Sequence, residues 1–368
     1  MQDKQTKTDF DTLMMRRCLE LAKRAAGKTS PNPLVGSVVV KDGKIIGEGF
    51  HPGVGKPHAE VFALSDAEQE AKGATVYVNL EPCNHYGRTP PCSEALIKAK
   101  VAKVVTGMVD PDPRVAGGGI EKLRKAGVEV VVGVEEAACR QLNEAFIHRI
   151  TNQQPFGILK YAMTLDGKIA ATGGHSAWVT GKSSRHLVHQ LRSTCDAVII
   201  GGNTVRKDNP NLTTHGVTEH NPLRVVMSRS LDLPSECNLW DTNTAPTLVF
   251  TENNSNSSLQ KELTNQGVEV ITVTKLTPKV VMEHLYQKEL SKVLWECGGT
   301  LAAKAIADGT IQKVMAFIAP KIIGGTSAAT PIGELGLSKM TDALQLKDIE
   351  VKAIDRDIVI EGYLLINN

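Results

Sequence analysis

The run Ala74-Thr75-Val76-Tyr77-Val78-Asn79-Leu80-Glu81-Pro82-Cys83, residues 74–83, reads as a strand that delivers a thiol at its end. Upstream, His58-Ala59-Glu60 follows Pro57, a residue suited to a helix start because its missing N–H would find no partner there. Downstream, an insert of eight residues containing Gly87, Pro90 and Pro91 leads to Cys92, which opens the next helix. These segments supply one imidazole, two thiols and a free carboxylate. A catalytic zinc takes three protein ligands and keeps its fourth place for water. His58, Cys83 and Cys92 are the expected ligands, and Glu60 is the expected carrier of the water's protons. The helix starts would also help keep the thiolates ionised. The competing reading is a lone helical histidine beside two ordinary thiols.

Outward from that run, apolar strands alternate with helical patterns. A helix is expected over Phe10–Ala26, stopped by Gly27, then a hairpin of Val35–Val40 and Lys44–Phe50 about Asp42-Gly43. A helix from His58 to about Lys72 follows, then the quoted strand and a helix from Cys92 to about Lys100. Val101–Val109 and Val128–Gly133 read as strands, Gly119–Ala126 and Glu135–Arg149 as helices. The alternation indicates a layered α/β domain with a largely parallel portion. Asn32, on the turn Ser30-Pro31-Asn32-Pro33, reads either as a turn former or as an amide able to meet a pyrimidine edge.

Length and composition set the frame. At 368 residues, a prior of about 150 residues per domain gives two domains, expected as 1–150 and 151–368 about Thr151-Asn152-Gln153-Gln154-Pro155. With 41% apolar and 22% charged residues the chain can bury a core, and a net charge of +2 gives no reason to expect a nucleic-acid or membrane surface. No apolar run is long enough for a membrane helix, and the polar stretch Met1–Lys7 is not a secretory signal. Seven cysteines without small-scaffold spacing favour a reducing compartment, so a cytoplasmic location is expected.

In the second half, strands are expected at Phe156–Ala162, Ala197–Gly201, Leu223–Met227, Thr247–Thr251, Val268–Val273 and Val293–Glu296, with a helix over about Ser183–Arg192. The strand at Val293 runs into Cys297-Gly298-Gly299-Thr300, which opens a helix to Ala307. Glycines between a strand and a helix start suit an anion, although on its own the two-glycine segment, which is no G-x-G-x-x-G, reads more readily as a simple turn.

The order His-x-Glu, then Pro-Cys and a second Cys, is that of zinc nucleobase deaminases, here with a widened gap between the thiols. Pro31-Asn32-Pro33, His58-Ala59-Glu60, the whole of Glu81–Cys92 and Asp110-Pro111-Asp112-Pro113 resemble the deaminase half of the bifunctional riboflavin-biosynthesis deaminase/reductase family, and residues 151–368 resemble its reductase half. That resemblance implies a cytidine-deaminase-like three-layer α/β/α domain followed by a dihydrofolate-reductase-like α/β domain. It implies zinc, NADPH and a small-molecule substrate, a diaminopyrimidinone ribosylamine 5′-phosphate. A homo-oligomer, dimer or tetramer, is expected.

Carried over on matching positions, Asn32, His51 and His85 would meet the pyrimidine end and Arg88 the phosphate, unless Arg88 is a solvated loop charge. In the reductase half, Ser176, Arg192, Leu212, His215 and Glu296 match substrate positions. Ala162, Trp178, Thr204 and Asp208 match cofactor positions, as does the run Gly298, Gly299, Thr300, Leu301, Ala302, Ala303 and Lys304. A core aromatic is the alternative for Trp178, a helix cap for Asp208, and a solvated charge for Glu296. Asp166 and Lys168 are further candidates for reduction. Two departures stand out: His215 occupies a place where the family usually has Arg, and Ser228-Arg229 replaces a usual Asp-Ser, with Arg229 a candidate for a 2′-phosphate. Two rival functions are a nucleic-acid base deaminase, which 4% aromatics disfavour, and a scaffold whose zinc has a fourth ligand, Cys139 or Cys297.

Overall fold

The computed structural model describes residues 2–86 and 90–365, with the side chains of 2–8 left aside. The chain divides into two compact units, Met1–Gln153 and Gln154–Asn368.

The first unit runs α1 (Gln2–Lys23), β1 (Gly36–Lys41), β2 (Lys44–Phe50), α2 (Ala59–Ala67), β3 (Thr75–Val78), α3 (Cys92–Lys98), β4 (Lys103–Thr106), α4 (Gly118–Lys125), β5 (Glu129–Val132), α5 (Glu136–Leu142) and α6 (Glu144–Asn152). Its sheet has the order β2-β1-β3-β4-β5, with β1 antiparallel to both neighbours and β3, β4 and β5 parallel. Strand alternation sends Val38, Val40 and Val105 to one face and Val39 and Val104 to the other. The first face packs on α1, α5 and α6 through Met15, Cys18, Cys139 and Phe146. The second packs on α2, α3 and α4 through Ala63, Ala67, Leu96 and Leu123. Three layers result, as expected.

Two details differ from the sequence reading. The helix expected over Glu135–Arg149 is broken at Asn143. The Asn143 amide accepts from the Leu34 N–H at 2.8 Å and donates to the Leu34 carbonyl at 3.0 Å, pinning the turn before β1. The helix after His58 ends at Ala67 and tightens into a 3-10 turn over Glu68–Ala71. Close approach matters on β2: a Cβ on Gly49 would lie 2.4 Å from the Ala59 carbonyl, and one on Gly47 would lie 2.3 Å from that of Ala63. Only glycine lets α2 lie this near the sheet.

The second unit runs β6 (Phe156–Thr164), α7 (Lys182–Ser193), β7 (Ala197–Gly201), α8 (Gly202–Asp208), β8 (Leu223–Met227), β9 (Thr247–Glu252), α9 (Ser257–Asn265), β10 (Glu269–Val273), α10 (Pro278–Gln287), β11 (Lys292–Trp295), α11 (Gly299–Ala307), β12 (Lys313–Ala319), β13 (Leu346–Ile354) and β14 (Asp357–Leu364). Its sheet has the order β10-β9-β8-β7-β11-β6-β12-β14-β13. The strands from β10 to β12 are parallel, and β14 and β13 add an antiparallel edge. The chain leaves β6 for β7 one place away, and β11 later fills the gap. Loops therefore diverge above β6, β11 and β7, where open α/β sheets place ligands. Strands β12, β13 and β14 extend the sheet beyond those expected. One face is covered by α10 and α11 through Val281, Met282, Leu285, Ala302 and Ala305.

Candidate active sites

In the first unit, the end of β3 and the starts of α2 and α3 meet. His58 is the N-cap of α2 in extended conformation and spends no side-chain atom on capping, so its ring is free. Its Nδ1 lies 3.4 Å from Cys83 Sγ and 3.3 Å from Cys92 Sγ. All three ligand atoms lie within 4.8 Å of one another, the one such group among the described residues. A tetrahedral zinc, with Zn–S of about 2.3 Å and Zn–N of about 2.0 Å, sets S-to-N separations of about 3.5 Å. The side chains present therefore fit zinc. Cys139 packs in the core of this unit, and among the described residues the group holds three ligands.

The Cys92 N–H donates to Cys83 Sγ at 3.3 Å. Taken as a bare pair, the hydrogen bond from the Cys92 thiol holds Cys83 down, to about 4, against its burial, while Cys92 is pushed up by its neighbour. One negative charge is thus shared, and a divalent cation is what lets both thiols ionise. Glu60, on the first turn of α2, is buried; burial first, then the Cys83 charge, pushes its carboxyl up to about 7. A cation on the three ligands would draw it down again.

A cavity of about 230 Å³ opens on this cluster. Asn32, His51, His58, Glu60, Cys83 and His85 line it, joined by Glu81, Asp110 and Asp112. Asn32 Nδ2 lies 3.0 Å from His51 Nε2, and His51 Nδ1 lies 3.1 Å from the Pro57 carbonyl. Burial holds His51 below its ordinary value. Glu81 was quoted in sequence without a role. Its carboxylate accepts N–H groups of Asp110, Gly117, Gly119 and Ile120 at 2.9–3.2 Å, which fastens the 110–120 wall to the strand end that carries Cys83. Arg88 lies outside the described residues.

In the second unit, a cavity of about 510 Å³ sits above β6, β7 and β11. The Gly298 N-cap of α11 carries no side-chain cap, and a Cβ on Gly299 would meet the Thr330 carbonyl at 2.5 Å. The backbone thereby comes to the cavity wall at a helix start, a setting for phosphate. On the floor, Arg192 donates to Glu296 through Nε at 2.5 Å and Nη2 at 3.1 Å, and Lys160 Nζ lies 3.4 Å from Glu296 Oε2. Burial pushes the Glu296 carboxyl up, but Arg192 and Lys160 outweigh it and leave the group at about 2. At the rim, Trp178 is 68% exposed, with the Arg185 guanidinium 4.3 Å from its ring centre.

Residues 155–360 match the RibD C-terminal domain, and residues 8–108 match the cytidine and deoxycytidylate deaminase zinc-binding region. A riboflavin biosynthesis protein RibD of Synechocystis is 63% identical over 97% of each chain. The chain belongs to the RibD family. Among solved members, the Acinetobacter baumannii RibD is similar at a TM-score of 0.87 and 38% identity, covering 98% of this chain and all of that one. A Thermotoga maritima diaminohydroxyphosphoribosylaminopyrimidine deaminase/5-amino-6-(5-phosphoribosylamino)uracil reductase gives a TM-score of 0.86 at 36% identity, with coverage of 98% and 100%. The first unit is accordingly a cytidine-deaminase-like α/β domain, and the second a RibD reductase domain of dihydrofolate-reductase-like fold.

Within this RibD reductase domain, the cavity is lined by Ala162, Ser176, Trp178, Thr204, Asp208, Glu296, Gly298, Gly299, Thr300 and Leu301 of the expected residues. Trp178 is a rim residue, not a core aromatic, and Glu296 is an ion-paired group with its side chain 9% exposed, not a solvated charge. The Asp208 carboxylate accepts from Ser176 Oγ at 3.1 Å. Other expected residues lie outside that lining. Ala302 and Ala303 turn into the protein on α11, and Lys304 is exposed away from the cavity lining. Leu212 is buried outside that lining, and Arg192 is not part of it either, its Nη1 donating to the Thr213 carbonyl at 2.9 Å. His215 stacks on His189 with ring centroids 4.1 Å apart, and burial first, then Arg192, lowers it below its ordinary value. Arg229 is exposed outside the lining. Asp166 accepts the N–H groups of Ile323 and Gly324 and the Thr164 hydroxyl, a loop tie outside the lining, as is Lys168. Lys160, Arg185, Asn203 and Lys207 line the cavity without having been singled out. The signal for Lys160 was in the sequence: a cation in the middle of the apolar strand Phe156–Ala162.

Proposed function

We propose that domain 1–150 hydrolytically deaminates 2,5-diamino-6-ribosylamino-4(3H)-pyrimidinone 5′-phosphate and that domain 151–368 then reduces the ribosylamino group to ribitylamino with NADPH. Membership of the RibD family carries the pair of activities. The observation that carries the first is the His58, Cys83 and Cys92 triangle with Glu60 buried in the wall of the same cavity. Zinc, when bound there, supplies the Lewis acidity that makes water a nucleophile near neutral pH. Glu60 would take one proton from the water and give it to the ring nitrogen, then take the second from the hydroxyl added at the amine-bearing carbon and give it to the departing ammonia. Asn32, with His51 hydrogen-bonded behind it, and His85 face the pyrimidine, and Arg88 meets the phosphate as a bidentate partner.

In the second domain the Gly298–Thr300 backbone holds the dinucleotide phosphates, with Ala162, Trp178, Thr204 and Asp208 along the cofactor. NADPH supplies a hydride. The hydride goes to the sugar carbon bonded to the amine, the ring C–O bond breaks, and the ring oxygen needs one proton. Lys160, held beside Glu296, is the proton source. Ser176 and Glu296 face the sugar-derived chain. A homo-oligomer is supported by the edge strand β13, which exposes Ile349 and Val351, and light scattering at a monomer mass would contradict it. No described helix is long and apolar enough to cross a membrane, and the seven free cysteines suit the cytoplasm; fractionation tests that location.

Incubating the protein with the diaminopyrimidinone phosphate tests the whole reading. Ammonia is expected without NADPH, and nicotinamide oxidation only on the deaminated product. Oxidation of NADPH on a substrate that has kept its amine would overturn the order.

A further inference from the structure

We infer that His51 is a positioning residue, not a pyrimidine contact: it fixes the amide of Asn32 so that Oδ1 alone is offered to the substrate as an acceptor. The inference deepens the deaminase reading and rests on it for the identity of the ligand, while the hydrogen-bond relay itself stands on the atoms involved.

The Pro57 carbonyl can only accept, so the His51 Nδ1 that lies 3.1 Å from it carries the hydrogen. The Asn32 Nδ2 group can only donate, so the His51 Nε2 at 3.0 Å receives through its lone pair. One tautomer satisfies both contacts. His51 is buried, and its ring lies edge-on to His58 with centroids 5.4 Å apart, which holds it in place beside the metal cluster. Pro57 immediately precedes His58, so the relay is anchored on the backbone that presents the ligand histidine. The Asn32 backbone is held as well, its N–H donating to the Thr29 carbonyl at 2.7 Å. Asn32 lines the cavity, and no described residue donates to its Oδ1. Both His51 nitrogens are spent, so this wall reads the substrate through one oriented amide. The substrate edge that meets Oδ1 must therefore carry an N–H, either a ring imide or an exocyclic amine. A ring with only acceptors on that edge is rejected, because two facing lone pairs leave a buried acceptor unpaired.

Two measurements test this. Long-range 1H–15N correlation on histidine-labelled protein, with His51 assigned by its loss in His51→Gln, is expected to show hydrogen on Nδ1 and none on Nε2. Hydrogen on Nε2, alone or with Nδ1, would reverse the amide and overturn the inference. In steady-state deamination, His51→Leu removes both ends of the relay and is expected to raise KM about tenfold with a smaller change in kcat. His51→Gln can donate to Pro57 and accept from Asn32, so it should restore most of that loss. Zinc content and reductase activity serve as folding controls for both variants. Equal defects in the two variants with zinc retained would overturn the relay. If wild-type protein releases no ammonia from the diaminopyrimidinone phosphate, the substrate reading fails, and the tautomer spectrum still decides the relay.

Discussion

Glu60→Gln keeps the shape of the side chain and removes its ability to take a proton. Ammonia release is expected to fall on the order of a thousandfold, with bound zinc unchanged by metal analysis, because Glu60 is not among the three ligands. Normal deamination by this variant would remove Glu60 from its role. Glu296 makes a different residue-scale prediction. Its folded value of about 2 lies below its ordinary 4.5, so the folded state favours the carboxylate. Its contribution to stability is complete above pH 4.5 and is lost as pH falls toward 2. Melting temperatures of wild type and Glu296→Gln should differ most above pH 5 and converge toward pH 2. A gap that stays constant would mean that Arg192 and Lys160 do not hold the charge.

The metal cluster is an element-scale product, because α2 must lie close to β2 for His58 and Glu60 to reach the end of β3. Gly49→Ala would put a methyl 2.4 Å from the Ala59 carbonyl, one residue from His58. Overpacking of this kind costs about 1–3 kcal/mol. The variant should melt lower and also lose zinc to a competing chelator faster than wild type; a lower melting point with unchanged zinc retention would separate packing from the site. The same elements show what was legible in sequence. The pattern around Cys83 and Cys92 gave strand end and helix start, because ligand spacing and helix-start chemistry are local. The break at Asn143 was invisible, because its cause is a hydrogen bond to Leu34, more than a hundred positions away in the chain. The pairing of Arg192 with Glu296 was hidden for the same reason: two residues far apart in sequence meet only once α7 and the end of β11 have packed. The family match placed both near the substrate, but it did not say that they bind each other.

At the scale of the whole molecule, the two units have separate sheets and separate cavities. Metal removal should therefore act on one activity alone. Treatment with a chelator is expected to abolish ammonia release while leaving NADPH oxidation on the deaminated product within about twofold of the untreated rate. Parallel loss of both would mean that the reductase domain depends on the metal. The domain order and the zinc ligands were readable from the chain because each is carried by motifs with their own chemistry. Lys160 and the edge formed by β13 and β14 required the assembled sheet, which brings strands from distant parts of the chain side by side.

The central claim is that His58, Cys83 and Cys92 hold one metal and leave a place beside Glu60 for water. Zinc-edge X-ray absorption on the purified protein, with zinc counted per chain, tests it most directly. One zinc per chain bound by two sulfurs, one imidazole nitrogen and one oxygen of water is the predicted result. A third sulfur, a second imidazole, or no zinc at all would contradict it.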